Sequence, residues 1–393
     1  MSMSELISRG MGSVMNTYSR FPLVLEKGEG CYVYDTDGTK YLDFVAGIAV
    51  NSLGHKNEKL ISAVSKQAEF MHVSNLYWTQ PQIELAEKLT KHSVFDKVFF
   101  CNSGAEAIEG SLKLARKYAS KHHPGRFEII SMKNSFHGRT IAAITATGQV
   151  KYQKGLAPLL PGITYAAFND IEALKSVINE KTCAVLLEPV QGEGGIHPAD
   201  TEYLIQVREI CDANNIALIF DEIQCGAGRT GAFFAFEQYG VSPDIATLAK
   251  GIAGGIPMGV ILAKDVFAEA FSPGDHASTF GGNPIAAAAA NVVTDELFSN
   301  GLLEHVKSTG SYLRSKLESL RAEMPEKILD VRGLGLMQGI ELAGPVAPVI
   351  NKCIKNNLLL LSAGEHVIRF VPPLIISQAE IDQMIIILKN VLS

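Results

Sequence analysis

Lys250 is the residue whose sequence context points most clearly to chemistry. It closes an apolar run that ends at Ala249, and glycines follow it at positions 251, 254 and 255. Lysines are seldom fully buried unless they are paired, and desolvation lowers the pKa of the amine. A neutral amine is a nucleophile that forms an imine with an aldehyde. A lysine extended along the surface gives the same short pattern, so other residues must support this interpretation.

Asp221 follows the apolar run 216–220, which predicts a strand with the carboxylate at its end. Open α/β sheets bind their ligands at this edge. A partly buried carboxylate there can keep a pyridine nitrogen protonated, and Gln224 is close enough in sequence to reach a phenolic oxygen. A solvated strand end and a metal ligand are the alternatives. No His or Cys lies at a suitable spacing for a metal site, so we expect none.

Residues 102–106 lie between a predicted strand and a predicted helix. Ser103 and Gly104 offer backbone N–H groups with little steric obstruction, where the helix dipole favours an anion. The alternative is an ordinary helix cap. The segment predicts a phosphate site only in combination with Lys250 and Asp221.

Two arginines are candidates for binding carboxylates. Arg139 shares the loop 136–140 with Phe136, and such a loop can stack on a flat ring and hold a carboxylate through two hydrogen bonds. Arg369 lies in an apolar strand pattern, and buried arginines are paired. It therefore faces a structural acid or a substrate carboxylate, and Glu188 and Glu193 are the candidate acids.

Residues 226–231 match the pattern GxGxxG, which suggests a dinucleotide site. Asp244, the next acid at a usable distance, precedes the following apolar run instead of ending it. Phe233, Phe234 and Phe236 occupy the position where a pyrophosphate-binding helix would start. The glycines are better explained by a tight turn beside a ligand.

The predicted elements alternate in the way that an α/β fold requires. The continuously apolar runs 183–187 and 216–220 are typical of strands buried on both faces of a parallel sheet. Further predicted strands are 97–101 and 127–131, and predicted helices are 84–91, 105–120 and 201–214. Aromatic runs around an Asp- and Gly-rich turn predict a hairpin within 30–45.

A smaller α+β unit is predicted to follow. A long helical stretch runs from the Ala-rich segment 285–291 to about residue 322, and residues 377–380 form a capping-box pattern before a last helix. We predict three parts: an N-terminal segment, 1–50, that packs with the small domain; a large α/β domain, 51–290; and a small domain, 291–393.

Composition limits the possible partners and locations. The chain has 393 residues, a net charge of −6, 47% hydrophobic and 19% charged residues, so it has no basic footprint for nucleic acid or a membrane surface. Residues 1–20 lack a signal-peptide pattern, which predicts a soluble cytoplasmic protein. No cysteine pair has CxxC spacing. Cys101, Cys183 and Cys211 are expected to be buried structural thiols, and the histidines to be surface or loop residues.

Taken together, these residues resemble the class III aminotransferases, enzymes of fold type I among the transferases that depend on pyridoxal 5′-phosphate. The resemblance extends from about residue 20 to the C-terminus. The matching motifs are residues 103–107, 136–139, 188–189, 191–193, 221–222, 224, 229–231, 250 and 279–284.

The resemblance implies which residues bind the cofactor. Lys250 attaches it covalently and carries a proton, Asp221 pairs with the ring nitrogen, Gln224 with O3′, and Phe136 stacks on the ring. The remaining contacts hold the phosphate: the N–H groups of Gly104 and Ala105 and, from the partner subunit of an obligate homodimer, Thr279.

The resemblance also implies how substrates bind. Arg139 binds the distal carboxylate, Arg369 binds the α-carboxylate, and Glu193 neutralises Arg369 while a substrate without that carboxylate is bound. Ser278 lies beside the substrate. Members that act on the free diamine carry a tyrosine where this chain has Gly47, and a small residue there leaves room for an N-acyl group.

The sequence departs from the family at one position. Many members have Thr after the Ser-Gly pair, whereas this chain has Ala105, which loses one hydroxyl contact. Other substrates of the same family and an aminomutase stay open as alternatives, and so do a nicotinamide-dependent dehydrogenase and a non-catalytic binding module.

Overall fold

The computed structural model describes residues 1–393 and contains fourteen α-helices, seventeen strands and two 3-10 turns. The helices are α1 Met3–Ser13, α2 Ala46–Ala49, α3 Glu58–Gln67, α4 Gln80–Lys91, α5 Gly104–His122, α6 Ile141–Ala146, α7 Val150–Gln153, α8 Ile171–Val177, α9 Thr201–Asn214, α10 Asp265–Ala268, α11 Pro284–Phe298, α12 Leu302–Glu323, α13 Ala347–Lys355 and α14 Gln378–Leu392.

The strands form four sheets. They are β1 Leu25–Glu29, β2 Tyr32–Asp35, β3 Lys40–Asp43, β4 Lys97–Cys101, β5 Glu128–Met132, β6 Ile163–Ala166, β7 Thr182–Leu187, β8 Val190–Gln191, β9 His197–Pro198, β10 Ala217–Asp221, β11 Ile245–Leu248, β12 Gly259–Ala263, β13 Ile328–Leu334, β14 Met337–Leu342, β15 Leu358–Leu359, β16 Leu361–Ser362 and β17 Val367–Phe370. The 3-10 turns are Ala235–Tyr239 and Lys250–Ala253.

The largest sheet has seven strands in the order β4-β12-β11-β10-β7-β5-β6. Only β12 runs antiparallel to its two neighbours, so the sheet is mainly parallel. Every residue of β7 and β10 is buried, as the continuous apolar runs 183–187 and 216–220 predicted, and so is every residue of β11. The predicted α/β class is confirmed.

The loops after β4, β5, β7, β10 and β11 all leave from one edge of this sheet, because those strands are parallel. The chain therefore brings the segment at 103, the loop at 136, Glu188, Asp221 and Lys250 to the same edge. Residues separated by more than one hundred positions in sequence become neighbours through strand order alone.

Two smaller sheets lie outside this unit. One joins β1, β2 and β3 to β15, so the N-terminal hairpin pairs with a strand near the C-terminus. The other has the order β13-β14-β17-β16. The largest hydrophobic cluster extends from Cys31 to Leu392 through all three predicted parts. The boundaries at 50 and 290 stay a prediction.

Several local predictions are confirmed and one needs refinement. The structure has a hairpin, β2–β3, within 30–45 and a capping box at Ser377, as predicted. It also has the strand predicted at 97–101 and a strand, 367–370, around Arg369. The stretch from 285 to 322 is helical, but it is two helices, because helical structure stops after α11 and Gly301, with φ 78°, caps the start of α12. All six cysteines are buried and free. None of the helices combines the length and apolar character needed to span a membrane.

Candidate active site

A cavity of about 340 Å³ opens at the carboxyl edge of the large sheet. It brings together the start of α5, the loop after β5, and the ends of β7, β10 and β11. Its lining includes most of the residues predicted to bind the cofactor, namely Gly104, Ala105, Phe136, Asp221, Gln224 and Lys250.

Asp221 lies at the end of β10, where its carboxylate is buried and well supported. It accepts a hydrogen bond from His137 Nδ1 at 2.7 Å and another from the Ile223 N–H at 3.0 Å. The opposite ring nitrogen of His137, Nε2, is buried without a partner. His137 lies in the loop after β5, as expected for a loop histidine, but it is not on the surface, because it is only 2% exposed. The sequence did not reveal it because its partner is 84 residues away.

Lys250 begins a 3-10 turn immediately after β11. Burial lowers the pKa of its amine, and Glu193, which raises it, only partly offsets that effect. Its φ of 43° is unusual for a residue with a Cβ and costs energy that the surroundings must offset. The Ser52 hydroxyl supports the turn because it donates to the Gly251 carbonyl at 2.8 Å.

The other end of the cavity is the first turn of α5. Ser103 caps the helix, and its hydroxyl accepts from the Glu106 N–H at 3.2 Å. The N–H groups of Gly104 and Ala105 precede the first helical hydrogen bond and have no acceptor within the helix. A Cβ on Gly104 would lie 2.9 Å from Ile223 Cδ1, so glycine permits this close approach of helix and loop.

Arg369 is 1% exposed and lies on β17. Its Nη1 donates to Glu193 Oε1 at 2.5 Å and to Gln224 Oε1 at 2.9 Å. Of the two acids considered from the sequence, the structure selects Glu193. Burial alone would raise the pKa of Glu193, but Arg369 and Lys250 outweigh it and hold that pKa below its usual value.

Glu188, the other candidate partner of Arg369, is also buried, but its carboxylate binds backbone N–H groups instead. It accepts from the N–H groups of Phe136 at 2.9 Å and Gly192 at 3.1 Å. Burial raises its pKa to about 7, against the opposing effect of His137. Glu188 therefore joins the loop after β5 to the loop after β8.

Arg139 has no carboxylate partner and is exposed. Its guanidinium lies 4.2 Å from the ring centre of Tyr152 and 5.4 Å from that of Phe136. Aromatic faces attract a guanidinium, and here one of the two rings, Phe136, lines the cavity, whereas Arg139 itself does not. Tyr152, on the short helix α7, has no motif around it that pointed to the site.

Ser278 and Thr279 do not line this cavity. They line a second one, of about 780 Å³, beside Asn75 and Trp78. The Ser278 hydroxyl accepts from Asn102 Nδ2 at 3.1 Å, and Thr279 is exposed. The chain by itself therefore does not bring Thr279 to Gly104.

Gly47 belongs to a left-handed turn formed by Ala46 to Ala49, whose φ angles run from 48° to 68°. Gly47 is exposed, and a Cβ on it would make only ordinary contacts with Val50 and Asn51. Val50 lines the cavity. A larger side chain at position 47 has space beside the cavity but would adopt a conformation that L residues rarely take.

The glycine motif at 226–231 forms turns and leads into no helix, so it lacks the structure of a dinucleotide site. Arg229 in this turn is buried and donates to the carbonyls of Leu336 and Pro372. Asp244 forms ion pairs with Arg208 and Lys264. Both residues have structural partners.

Comparisons with known proteins agree with this geometry. A family profile described as aminotransferase class-III matches residues 13–392. The acetylornithine aminotransferase of Caldanaerobacter subterraneus subsp. tengcongensis is 53% identical over 97% of both chains. That of Methanocaldococcus jannaschii is 52% identical over 94% of both chains.

Solved structures are also similar. The ornithine aminotransferase of Toxoplasma gondii has a TM-score of 0.95 at 30% identity, over 100% of this chain and 95% of its own. The N-acetylornithine aminotransferase of Stenotrophomonas maltophilia has a TM-score of 0.83 at 37% identity, over 98% of both chains.

The chain belongs to the class III aminotransferases. It is a transferase that depends on pyridoxal phosphate, and a related Toxoplasma ornithine aminotransferase structure is described with that cofactor in its active site.

The cavity has groups that fit each part of this cofactor. Two N–H groups without a helical acceptor, on Gly104 and Ala105, suit a phosphate. A buried carboxylate, Asp221, suits a protonated ring nitrogen, and the amine of Lys250 suits the aldehyde carbon.

Proposed function

We propose that this chain moves the terminal amine of N-acetylornithine to 2-oxoglutarate in two half-reactions at one site, as a step of arginine biosynthesis. The observation that carries the proposal is the contrast between two arginines. Arg139 is free to bind a carboxylate, whereas Arg369 is already paired with Glu193. Such a site suits two substrates whose carboxylates lie at different distances from the reacting amine: one needs only Arg139, and the other also displaces Glu193 from Arg369.

Bound pyridoxal phosphate supplies an electron sink for the reacting carbon. We assign Lys250 to hold the cofactor covalently and then to carry the proton from the carbon that bears the substrate amine. We assign Asp221 to pair with the ring nitrogen, and the hydrogen bond from His137 orients its carboxylate. The N–H groups of Gly104 and Ala105 hold the phosphate, with Phe136 on the ring face and Gln224 at O3′.

The two substrates present their amines at different positions. N-acetylornithine reacts through its terminal amine, so its α-carboxylate lies far from the reacting atom, where Arg139 binds it. Glutamate reacts through its α-amine, so Arg139 holds the side-chain carboxylate and Arg369 holds the α-carboxylate. Glu193 neutralises Arg369 during the first half-reaction, which avoids an unpaired buried charge.

The proposed function also includes a homodimer as the active form of the enzyme. The surface around Thr279 includes exposed apolar side chains at Leu76, Trp78 and Phe280. Asn75 Nδ2 donates to the carbonyl of Ser278 at 2.9 Å, which fixes this surface as one unit. We assign Thr279 to the phosphate site of a partner subunit and Ser278 to its substrate side. A cytoplasmic location belongs to the same proposal.

The alternative function is that of another class III aminotransferase, with succinylornithine, succinyl-diaminopimelate, ornithine or 4-aminobutyrate as the amine donor. Gly47 is the residue that favours an N-acylated donor, because it places no side chain beside Val50. A half-reaction test separates these donors. Each donor is mixed alone with the purified holoenzyme, and the absorbance band of the bound cofactor is followed.

Fast conversion by N-acetylornithine with slow conversion by ornithine is the expected result. Fast conversion by ornithine or 4-aminobutyrate would keep the aminotransferase and reject the proposed substrate.

The division of labour between the arginines has its own test. We expect Arg369→Ala to raise the KM for 2-oxoglutarate at least tenfold, because a charged hydrogen-bond pair is lost. The KM for N-acetylornithine should change much less, since its carboxylate lies at Arg139. Steady-state kinetics with each substrate varied in turn measure both values, and equal effects would refute the assignment.

A further inference from the structure

The loop 192–195 carries Glu193, and its backbone is held at both ends. Glu188 Oε2 accepts from the Gly192 N–H at 3.1 Å at the first end. Arg332 Nε donates to the Gly195 carbonyl at 2.8 Å at the other. The two contacts come from different parts of the molecule, because Glu188 follows β7 and Arg332 lies on β13.

The register of the small sheet explains why Arg332 reaches this loop. Arg332 pairs with Gly339 on β14, and Gly339 pairs with Arg369 on β17. Residues directly opposite each other on neighbouring strands face the same side of a sheet. Arg332 and Arg369 therefore share a face with only a glycine between them, and a Cβ on Gly339 would lie 3.1 Å from Ile196.

Close packing leaves the loop backbone little freedom to move. A Cβ on Gly192 would lie 2.6 Å from the Gln224 side chain, and one on Gly194 would lie 2.5 Å from the Asn134 carbonyl. Gly195 has φ 117° and packs beside Arg332. Within this loop, the side chain of Glu193 is the part that can change partner.

We propose that Arg332 is a positioning residue for substrate choice: it holds the loop backbone so that Glu193 masks or releases Arg369 by rotation of its side chain alone. The proposal rests on the proposed exchange of Glu193 for a substrate α-carboxylate. Arg369 thus binds the substrate carboxylate, and Arg332, two strands away on the same face of the sheet, holds the loop of the group that competes with it.

Arg332 is suited to this task because a second nitrogen of its guanidinium, Nη1, is held by two acids of its own sheet. Its Nη1 pairs with Asp330 at 2.9 Å and with Glu341 at 2.6 Å, and its side chain is 13% exposed. Two carboxylates hold one edge of the guanidinium, which leaves Nε aimed at the Gly195 carbonyl. A lysine can satisfy the carboxylates but has no second, rigidly placed donor for the loop.

The test compares single-turnover half-reactions of the holoenzyme with N-acetylornithine and with glutamate. Without the hydrogen bond from Arg332 to Gly195, Glu193 pairs less well with Arg369. The half-reaction with glutamate, which has two carboxylates, should therefore become faster, and that with N-acetylornithine slower. We expect Arg332→Gln and Arg332→Lys to lower the acetylornithine-to-glutamate rate ratio about fivefold, the effect of one lost hydrogen bond. Inhibition by glutarate, a dicarboxylate without an amine, should strengthen by a similar factor.

Two further variants separate the possible results. Glu341→Gln removes the charge of one partner of Nη1 but keeps an oxygen acceptor there. The pair with Asp330 also stays, so Arg332 keeps its contact with Gly195 and the ratio should match the wild type. Glu193→Gln removes the competing group itself, so its ratio should fall as in the Arg332 variants.

If Glu193→Gln shifts the ratio and the Arg332 variants do not, the positioning role is refuted and the exchange stands. If neither shifts it, the exchange itself is refuted. Should Arg332→Gln not fold, as a thermal melt would show, Arg332→Lys alone decides, because it retains the charge. Equal shifts in Glu341→Gln and Arg332→Lys would reduce Arg332 to a general structural role and overturn the proposal.

Discussion

At the scale of single residues, the site depends on how each buried charge is compensated. Asp221 has His137, and Arg369 has Glu193, each within 2.7 Å. Removal of one partner from such a pair leaves an uncompensated buried charge, which costs more than the pair itself contributes. The exposed Arg139 is the exception: it has aromatic neighbours but no acid partner, and under the proposed function an incoming carboxylate would supply one.

Lys250→Ala removes the only amine that lines the cavity. We expect turnover to fall by at least three orders of magnitude, because both covalent attachment and proton transfer are lost. Some cofactor should stay bound through the phosphate and ring contacts. Turnover and the cofactor absorbance of the purified variant measure the two effects, and turnover near that of the wild type would reject the assignment of Lys250.

Glu222, next to Asp221 in sequence, gives a prediction for pH. It is fully buried without a cation, accepts from the N–H groups of Ala235 and Phe236, and burial raises its pKa from 4.5 to about 7. An acid with a raised folded pKa holds its proton more tightly in the folded state. Its contribution to stability is therefore greatest below about pH 4.5 and is lost as the pH rises to about 7.

The corresponding measurement compares urea unfolding of the wild type and Glu222→Gln at pH 5 and pH 8. We expect the stability of the wild type, relative to the variant, to fall by up to about 3 kcal/mol over this range. A difference that is independent of pH would show that Glu222 stays ionised throughout.

At the scale of elements, the sequence predicts those that local periodicity defines. The strands 183–187 and 216–220 were recognisable because they are continuously apolar, and α9 because its apolar residues recur at helical spacing. The reversed direction of β12 was not recognisable, since it depends on pairing with β4 and β11. The break before α12 was missed although Gly301 marks it.

The same distinction applies to the site. Lys250, Asp221 and the start of α5 have local signals, because each follows a strand. Tyr152 and Arg332 have none, and the motif 136–139 does not indicate that its His137 pairs with Asp221, since each contact is made with another part of the chain. Contacts of this kind follow from topology and register, which the sequence pattern does not specify by itself.

Arg229 joins separate elements, because it connects the turn 226–231 to the segments around Leu336 and Pro372. It is buried and bonded to two carbonyls, and burial lowers its pKa to about 9. We expect Arg229→Met to destabilise the protein by about 2–4 kcal/mol, because two buried carbonyls lose their donor. Chemical unfolding measures the loss, and a change below about 0.5 kcal/mol would contradict the role.

At the scale of the whole molecule, the isolated chain leaves an apolar surface uncovered. Leu76, Tyr77 and Trp78 are 87%, 66% and 85% exposed, and they adjoin the loop that contains Thr279. Contiguous exposed apolar surface of this kind marks an interaction site. In the proposed homodimer, a second copy of the chain covers this surface and receives Thr279 at its phosphate site.

This leads to a prediction for assembly. The wild type should have a solution mass of twice 42.4 kDa, and Leu76→Glu with Tyr77→Glu should produce an inactive monomer. Ile386→Glu, at an exposed apolar position on α14, is the matched control and should stay dimeric. Light scattering measures the mass, and an active monomeric double variant would contradict a shared site.

The chain contains a single tryptophan, Trp78, and it lies on this apolar surface. An indole emits at longer wavelength in water than when packed against protein. Fluorescence excited selectively from tryptophan therefore reports on this one segment, without any added label. If the emission maximum of Trp78 moves to shorter wavelength as the protein concentration rises, this fluorescence measures the association of subunits directly.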